Sequence, residues 1–227
     1  MMKVFFEELA LSEPIEMAYR KVSSPLARKV GELILLKYDL ECSLECLINW
    51  QEDLPQGDAN ASFINAANQS FVRDAIITFH ACFDSACPEN LDASVIYADN
   101  PEALHFFNWC KDLRDTWVAH RFGPSRLAEA VFQIHPETGD VLGEGEMTVA
   151  YLGPPYETRD MMIRLAEHAH AYATSLLTKH RELLLDEVNS LFPNQRKKLD
   201  LAGFRIAGPE EFRMGRRKYR NVNRDMK

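Results

Sequence analysis

The chain has 227 residues, 46% of them hydrophobic, and a formal net charge of −8. That length allows one generous core, or one core with an appendage, and thirteen Phe and three Trp available to fill it exclude a disordered chain. Residues 190–227 carry eleven Lys or Arg against four acids, which leaves −15 on residues 1–189; the acidic body argues against general nucleic-acid affinity, and cations that could gather on phosphate lie in the tail.

In chain order, the opening MMKVFFEELALSEP has one Lys and an apolar patch broken by Glu7 and Glu8, so no signal peptide is expected. The strongest apolar run, around Leu33 to Leu36, is far short of the roughly 20 residues that span a bilayer. A soluble, cytoplasmic protein with no membrane contact is the expectation. Ser12-Glu13-Pro14 predicts a short helix to about Val22, and Ser23-Ser24-Pro25 opens a longer one to near Trp50. In the longer helix Leu26, Val30, Leu33, Leu40, Leu44 and Leu47 recur at spacings of three, four and seven. The polar stretch from Asp53 to Asn68 reads as a loop, followed by a helix from about Gln69 to Ala86 whose buried stripe is Val72, Ile76, Phe79 and Phe83.

Asp99-Asn100-Pro101-Glu102 starts a further helix, with Leu104, Phe107, Trp117 and Val118 carrying its apolar face to about Arg121. The period then changes. Ala130, Phe132 and Ile134 alternate with Val131, Gln133 and His135, Glu137-Thr138-Gly139-Asp140 turns the chain, and Met147, Val149 and Tyr151 alternate again, predicting a β-hairpin over about 129–152. Thr158 caps a last long helix to about Asn189, with Met162, Leu165, Ala169, Tyr172, Leu176 and Leu183 toward the core. The expected fold is mainly α, an antiparallel helical bundle over residues 1–192 with an inserted hairpin, and a partly ordered basic tail over 193–227.

Five Cys, at 42, 46, 82, 87 and 110, form an odd set without a CxxC pair, which predicts reduced thiols rather than a disulfide framework. His80 with Cys82 and Cys87 lacks the paired spacing of structural zinc sites, so no metal and no cofactor are expected. Phosphate-binding, dinucleotide, nucleophile-elbow and HExxH signatures are all missing.

What remains is Leu113-Arg114-Asp115-Thr116-Trp117-Val118-Ala119-His120-Arg121. Here the chain resembles the HEPN family of helical-bundle proteins, whose ribonuclease members carry an Arg, a polar neighbour, and a His after four to six intervening residues. The wording RD…AHR is most similar to members tied to abortive infection and toxin–antitoxin systems. The resemblance implies a homodimeric, metal-independent endoribonuclease that brings two copies of the segment into one groove. In it Arg114 holds the phosphate, His120 moves protons at the 2′-hydroxyl or leaving oxygen, and Asp115 orients His120 or Arg121. A dimer also answers a geometric difficulty: at 100° per residue, Arg114 and His120 on one straight helix project about 120° apart.

The spacing recurs from Arg73 to His80 and from Arg164 to His170; the Arg114 copy is preferred because it closes a helix ahead of a break at Phe122-Gly123-Pro124. Arg73 and His80 share a helix face with Ile77 and Asp84, as auxiliary site residues or as a structural polar cluster. His168 and His170 point about 200° apart on a helix and do not form a chelating pair. Arg121 and the tail residues Arg216, Arg217, Lys218 and Tyr219 are candidate RNA contacts, by phosphate pairing and base stacking, or else the tail docks on an acidic partner surface. The alternative to an enzyme is a non-catalytic helical scaffold or regulator that binds a protein partner, such as an antitoxin.

Overall fold

The structure is a computed structural model that describes residues 19–55, 58, 60–85, 89–118, 126–150 and 153–202. It is mainly helical, with one two-stranded antiparallel sheet. No helix among the described residues is long and apolar enough to cross a membrane. Contacts group the chain into two units, residues 24–187 and a smaller one formed by the chain ends, 1–23 and 188–227.

Helix α1 spans Pro25–Asn49. Ser24, in extended conformation, accepts from the Ala27 N–H at 3.0 Å, and Pro25 supplies the first helical φ without wasting a donor, as the Ser-Ser-Pro start predicts. Val30, Leu33, Leu36, Leu40 and Leu47 form its buried stripe. Ser43 sits in that stripe and donates to the Ala75 carbonyl across the interface with α2, so a hydroxyl is buried at no cost in unmet bonds.

Helix α2 spans Ala61–Ala81, so it starts well before Gln69 and stops short of Ala86. The asparagines that read as loop formers instead use their amides from within the helix to tie down the preceding segment. Asn65 exchanges bonds with both backbone groups of Leu54, and Asn68 accepts from the Gln51 N–H and donates to Asp53. At the other end the Cys82 carbonyl is taken by the Leu91 N–H at 2.8 Å, which folds the chain back and buries Leu91. A helical turn absent from the sequence reading, α3 at Ala93–Ile96, follows under an Asp92 cap.

Helix α4 spans Pro101–Leu113, with Asn100 as its side-chain cap. It does not run as an α-helix to Arg121; residues Arg114–Val118 form a π-helical turn. Strands β1 (Arg126–Ile134) and β2 (Val141–Ala150) pair antiparallel as the predicted hairpin, with Val131 opposite Gly145 and a register irregularity at Gln133/Ile134. Phe132, Ile134, Val141 and Leu142 on it are exposed. A 3₁₀ turn at Tyr156–Thr158 leads into α5, Arg159–Ser190.

The buried stripe of α5 is Met162, Leu165, Ala166, Ala169, Ala173 and Leu177; the expected Leu183 is exposed, because the stripe advances by three or four residues through small alanines instead of through Leu176. Met162, Leu165, Ala166, Ala169 and Ala173 join Val72, Ala75, Ile76, Phe79, Phe107 and Cys110 in the main core, while Leu177 packs with Val30 and Leu33 in a second cluster. In the smaller unit residues 19–23 are not helical, contrary to the short-helix expectation. Arg20 bridges Leu201, and Ala202 donates to the Tyr19 carbonyl, so this stretch spends its backbone bonds on the chain's other end. The expected helix before Tyr19 lies outside the described residues. A short helix, α6, occupies Pro193–Arg196.

Tyr97, 1% exposed, reaches across the core to donate to the Leu165 carbonyl at 2.9 Å, and burial pushes its phenol pKa well up, so it stays protonated as the bond requires. Tyr97→Phe keeps the ring and deletes the bond. A loss of about 1 kcal/mol in urea unfolding, with unchanged m-value, is expected.

Candidate functional site

The turn that carries Arg114 departs from α-helical geometry for reasons visible in its side chains. Thr116 Oγ1 donates to the Asp112 carbonyl at 2.7 Å, a back-bond that competes with and bends a helix. Trp117, next in the chain, is 3% exposed and must be turned into the core. Widening to i→i+5 bonding satisfies both, and single π-turns inside or at the end of α-helices concentrate at functional sites. The 100° step of a straight α-helix therefore does not hold from Arg114 to Val118.

Two features hold Trp117. The Arg73 guanidinium of α2 lies 5.8 Å from its ring centroid, a cation–π contact. On another side Gly153, just ahead of the 3₁₀ turn, comes so close that an added Cβ would lie 3.0 Å from ring atom Cη2. Arg114 itself donates through Nε to Asp115 Oδ1 at 2.8 Å, and its Nη2 lies 2.7 Å from the same oxygen.

His80, the other auxiliary candidate on α2, is 2% exposed, with its ring against Phe107 (centroids 4.8 Å apart) and edge-on to Phe79. Its Nε2 has no hydrogen-bond partner among the described residues. Burial, first, and then the positive charge of Arg114 lower its pKa to about 3; Asp115 opposes the shift and Lys111 adds to it. The imidazole is thus neutral at physiological pH and sits in a net positive field. It can accept or donate one hydrogen bond there but cannot serve as an imidazolium acid.

His80, Lys111 and Arg114 all line one open groove of about 440 Å³, with Ser85, Asn90 and Asp92 among its polar walls. On the core side His80 also borders a cavity of about 20 Å³ beside Ser43 and Cys110, room for a single water. The Cys110 thiol, pushed up to about 12 by burial, is an inert core group there.

The structure therefore gathers Arg114, Asp115, His80 and Arg73 around one π-turn, the first two by direct bonding, His80 through the shared groove and Arg73 through Trp117. His120, Arg121, Arg216, Arg217, Lys218 and Tyr219 lie outside the described residues. Arg164 and His170, the other spacing match, are not part of this cluster. His170 faces Glu41 at 3.3 Å and His168 is exposed with its ring edge-on to Tyr97, so the two histidines diverge as their spacing predicts. Cys42, Cys46, Cys82 and Cys110 are not in disulfides, and among the described residues no three His, Cys, Asp or Glu gather where they could hold a metal ion.

Sequence reasoning missed Lys111 and Gly153. Lys111 had a signal, since it stands one turn before Arg114 on the same helix. Gly153 had none, because its value comes from a tryptophan 36 positions away in the chain. No family model, curated protein or solved structure matches the chain.

Proposed function

We propose that this protein is a HEPN-like helical bundle that works as a homodimeric, metal-independent endoribonuclease in the cytoplasm, in a defence or toxin–antitoxin role. The observation that supports it is the π-turn itself. It sets Arg114 at the lip of a polar groove, braced by Asp115 and by the Arg73–Trp117 contact, which is how a guanidinium is pre-organised for a phosphate.

In this reading the RNA 2′-oxygen attacks the adjacent phosphorus as the 5′-oxygen leaves. His120 takes the 2′-hydroxyl proton and a protonated His, its own or the partner copy's, returns one to the leaving oxygen. Arg114 neutralises the charge that builds on the phosphoryl oxygens. Removing a preorganised donor of this kind costs about 10²–10³ in rate. Cleavage of varied RNAs in the presence of a chelator is accordingly expected to fall at least about 100-fold in Arg114→Ala, and as far in His120→Ala. Equal cleavage by parent and both variants, or none by the parent, removes the enzyme reading.

A second reading, a non-catalytic regulator that binds a protein partner, is favoured by a different surface. Ile34, Leu35, Tyr38 and Ile48 lie exposed on α1, beside Glu41 and Glu45. Such an apolar row with an acidic margin fits a basic amphipathic partner helix. Loss of partner binding in Tyr38→Glu, with RNA untouched by the parent, would select this reading.

A further inference from the structure

Around the Arg114 groove, hydrogen-bonding capacity is left over on two cations. Asp115 occupies Nε and Nη2 of Arg114, and the rest of the guanidinium fork has no protein partner among the described residues. Lys111, exposed one turn earlier, has no ion-pair partner among them either. Two acids line the groove as well, Asp84 and Asp92, and neither is free: the Asp92 carboxylate takes the N–H and hydroxyl of Ser94 to cap α3, and those bonds hold its pKa below the usual carboxylate range. His80, 98% buried, lines the same groove with Nε2 unpartnered among the described residues, a condition that is unfavourable in a folded protein unless something meets it.

We propose that this groove is a phosphate site of the phosphodiester class, in which Arg114 and Lys111 together contact the phosphate oxygens and neutral His80 lies against the bound group. The choice of a phosphodiester rests on the ribonuclease reading; the two-cation site rests on the groove alone. Arg114 offers a planar fork and Lys111 a mobile point charge, the combination that grips a tetrahedral anion without demanding one approach direction. A neutral imidazole at the wall suits the site, because a third cation so close would have to be desolvated with the other two. The fields of Arg114 and Lys111 converge on His80, so an anion bound to that pair lies near enough to change the ring's environment.

The test uses the full chain and inorganic phosphate. Titrated at constant ionic strength into protein carrying ¹⁵N-labelled histidine, phosphate is expected to shift the His80 imidazole signals saturably. Affinity is expected to fall about tenfold in Lys111→Gln, the worth of one charge-assisted contact, and at least as far in Arg114→Gln. Lys111 is exposed, so that variant is expected to keep its fold, which circular dichroism checks. With an uncleavable 2′-deoxy oligonucleotide, the slope of log affinity against log salt is expected to become shallower by about 0.7 in Lys111→Gln, a change that a merely structural residue would not produce.

Absence of saturable phosphate binding, or Lys111→Gln binding like the parent, overturns the site even if Arg114-dependent RNA cleavage is found. Phosphate binding that obeys both variants, in a protein that cleaves no RNA, upholds the site and sinks the ribonuclease.

Discussion

Acidification from pH 7 to pH 4.5 is expected to cost the native state about 2.5 kcal/mol through His80 alone. In the unfolded chain a histidine titrates near pH 6.5. In the folded protein burial first, then Arg114 and least of all Lys111 lower His80 to about 3, with Asp115 pulling the other way. Below pH 6.5 the unfolded state therefore takes up a proton that the native state refuses. The contribution is fully present above pH 6.5 and is lost progressively as pH falls toward 3.

Carboxylates add their own acid sensitivity over part of this range, so the measurement is a difference. Urea unfolding of the parent and of His80→Leu is compared at pH 7, 5.5 and 4.5. The variant should match or exceed the parent at pH 7, since an apolar replacement also removes the unpartnered Nε2. Its loss of stability by pH 4.5 should be smaller by about 2.5 kcal/mol. Parallel pH profiles for the two proteins would mean that the ring is not held neutral by its surroundings.

The elements most legible in the sequence were those whose signal is local. The cap-and-proline starts at Ser24-Pro25 and Asn100-Pro101 announced α1 and α4, and the change to a period of two announced the hairpin. Elements misread were those settled by tertiary bonding. Asn65 and Asn68 look like loop residues until their amides are seen fastening Leu54, Gln51 and Asp53. Residues 19–22 carry a helical pattern, yet their backbone bonds go to residues 200–202. The site was half legible for the same reason. Arg114 and Asp115 stand out as a motif, whereas nothing in the spacing of Arg73 and His80 tells that one reaches Trp117 and the other shares a groove with Lys111. A π-turn has no sequence period of its own, so its presence under Arg114 had to come from structure.

Gly153→Ala is the substitution expected to do most damage for the fewest atoms added, about 2–5 kcal/mol in stability. Two costs fall on the same methyl. Gly153 has φ +124°, a region that L-residues enter only at a strain of about 1–3 kcal/mol. The new Cβ would also meet Trp117 Cη2 at 3.0 Å and Cζ2 at 3.1 Å, well inside ordinary carbon contact, and the ring is packed too tightly to yield without moving the turn. Gly139 separates the two costs. It has φ +77° in the hairpin turn, and nothing lies within 4 Å of its would-be Cβ, so Gly139→Ala carries strain alone, about 1 kcal/mol. The excess at position 153 measures the collision with Trp117. A double-mutant cycle with Trp117→Leu should recover most of that excess, because the smaller side chain vacates the space. Phosphate affinity read on the same variants then links packing to function. A ring pushed off its seat against Gly153 drags the π-turn with it, and Arg114 should weaken in step with the excess rather than with the total loss of stability. Equal costs at the two glycines, or phosphate affinity that ignores the excess, would show that Gly153 does not brace the turn that carries Arg114.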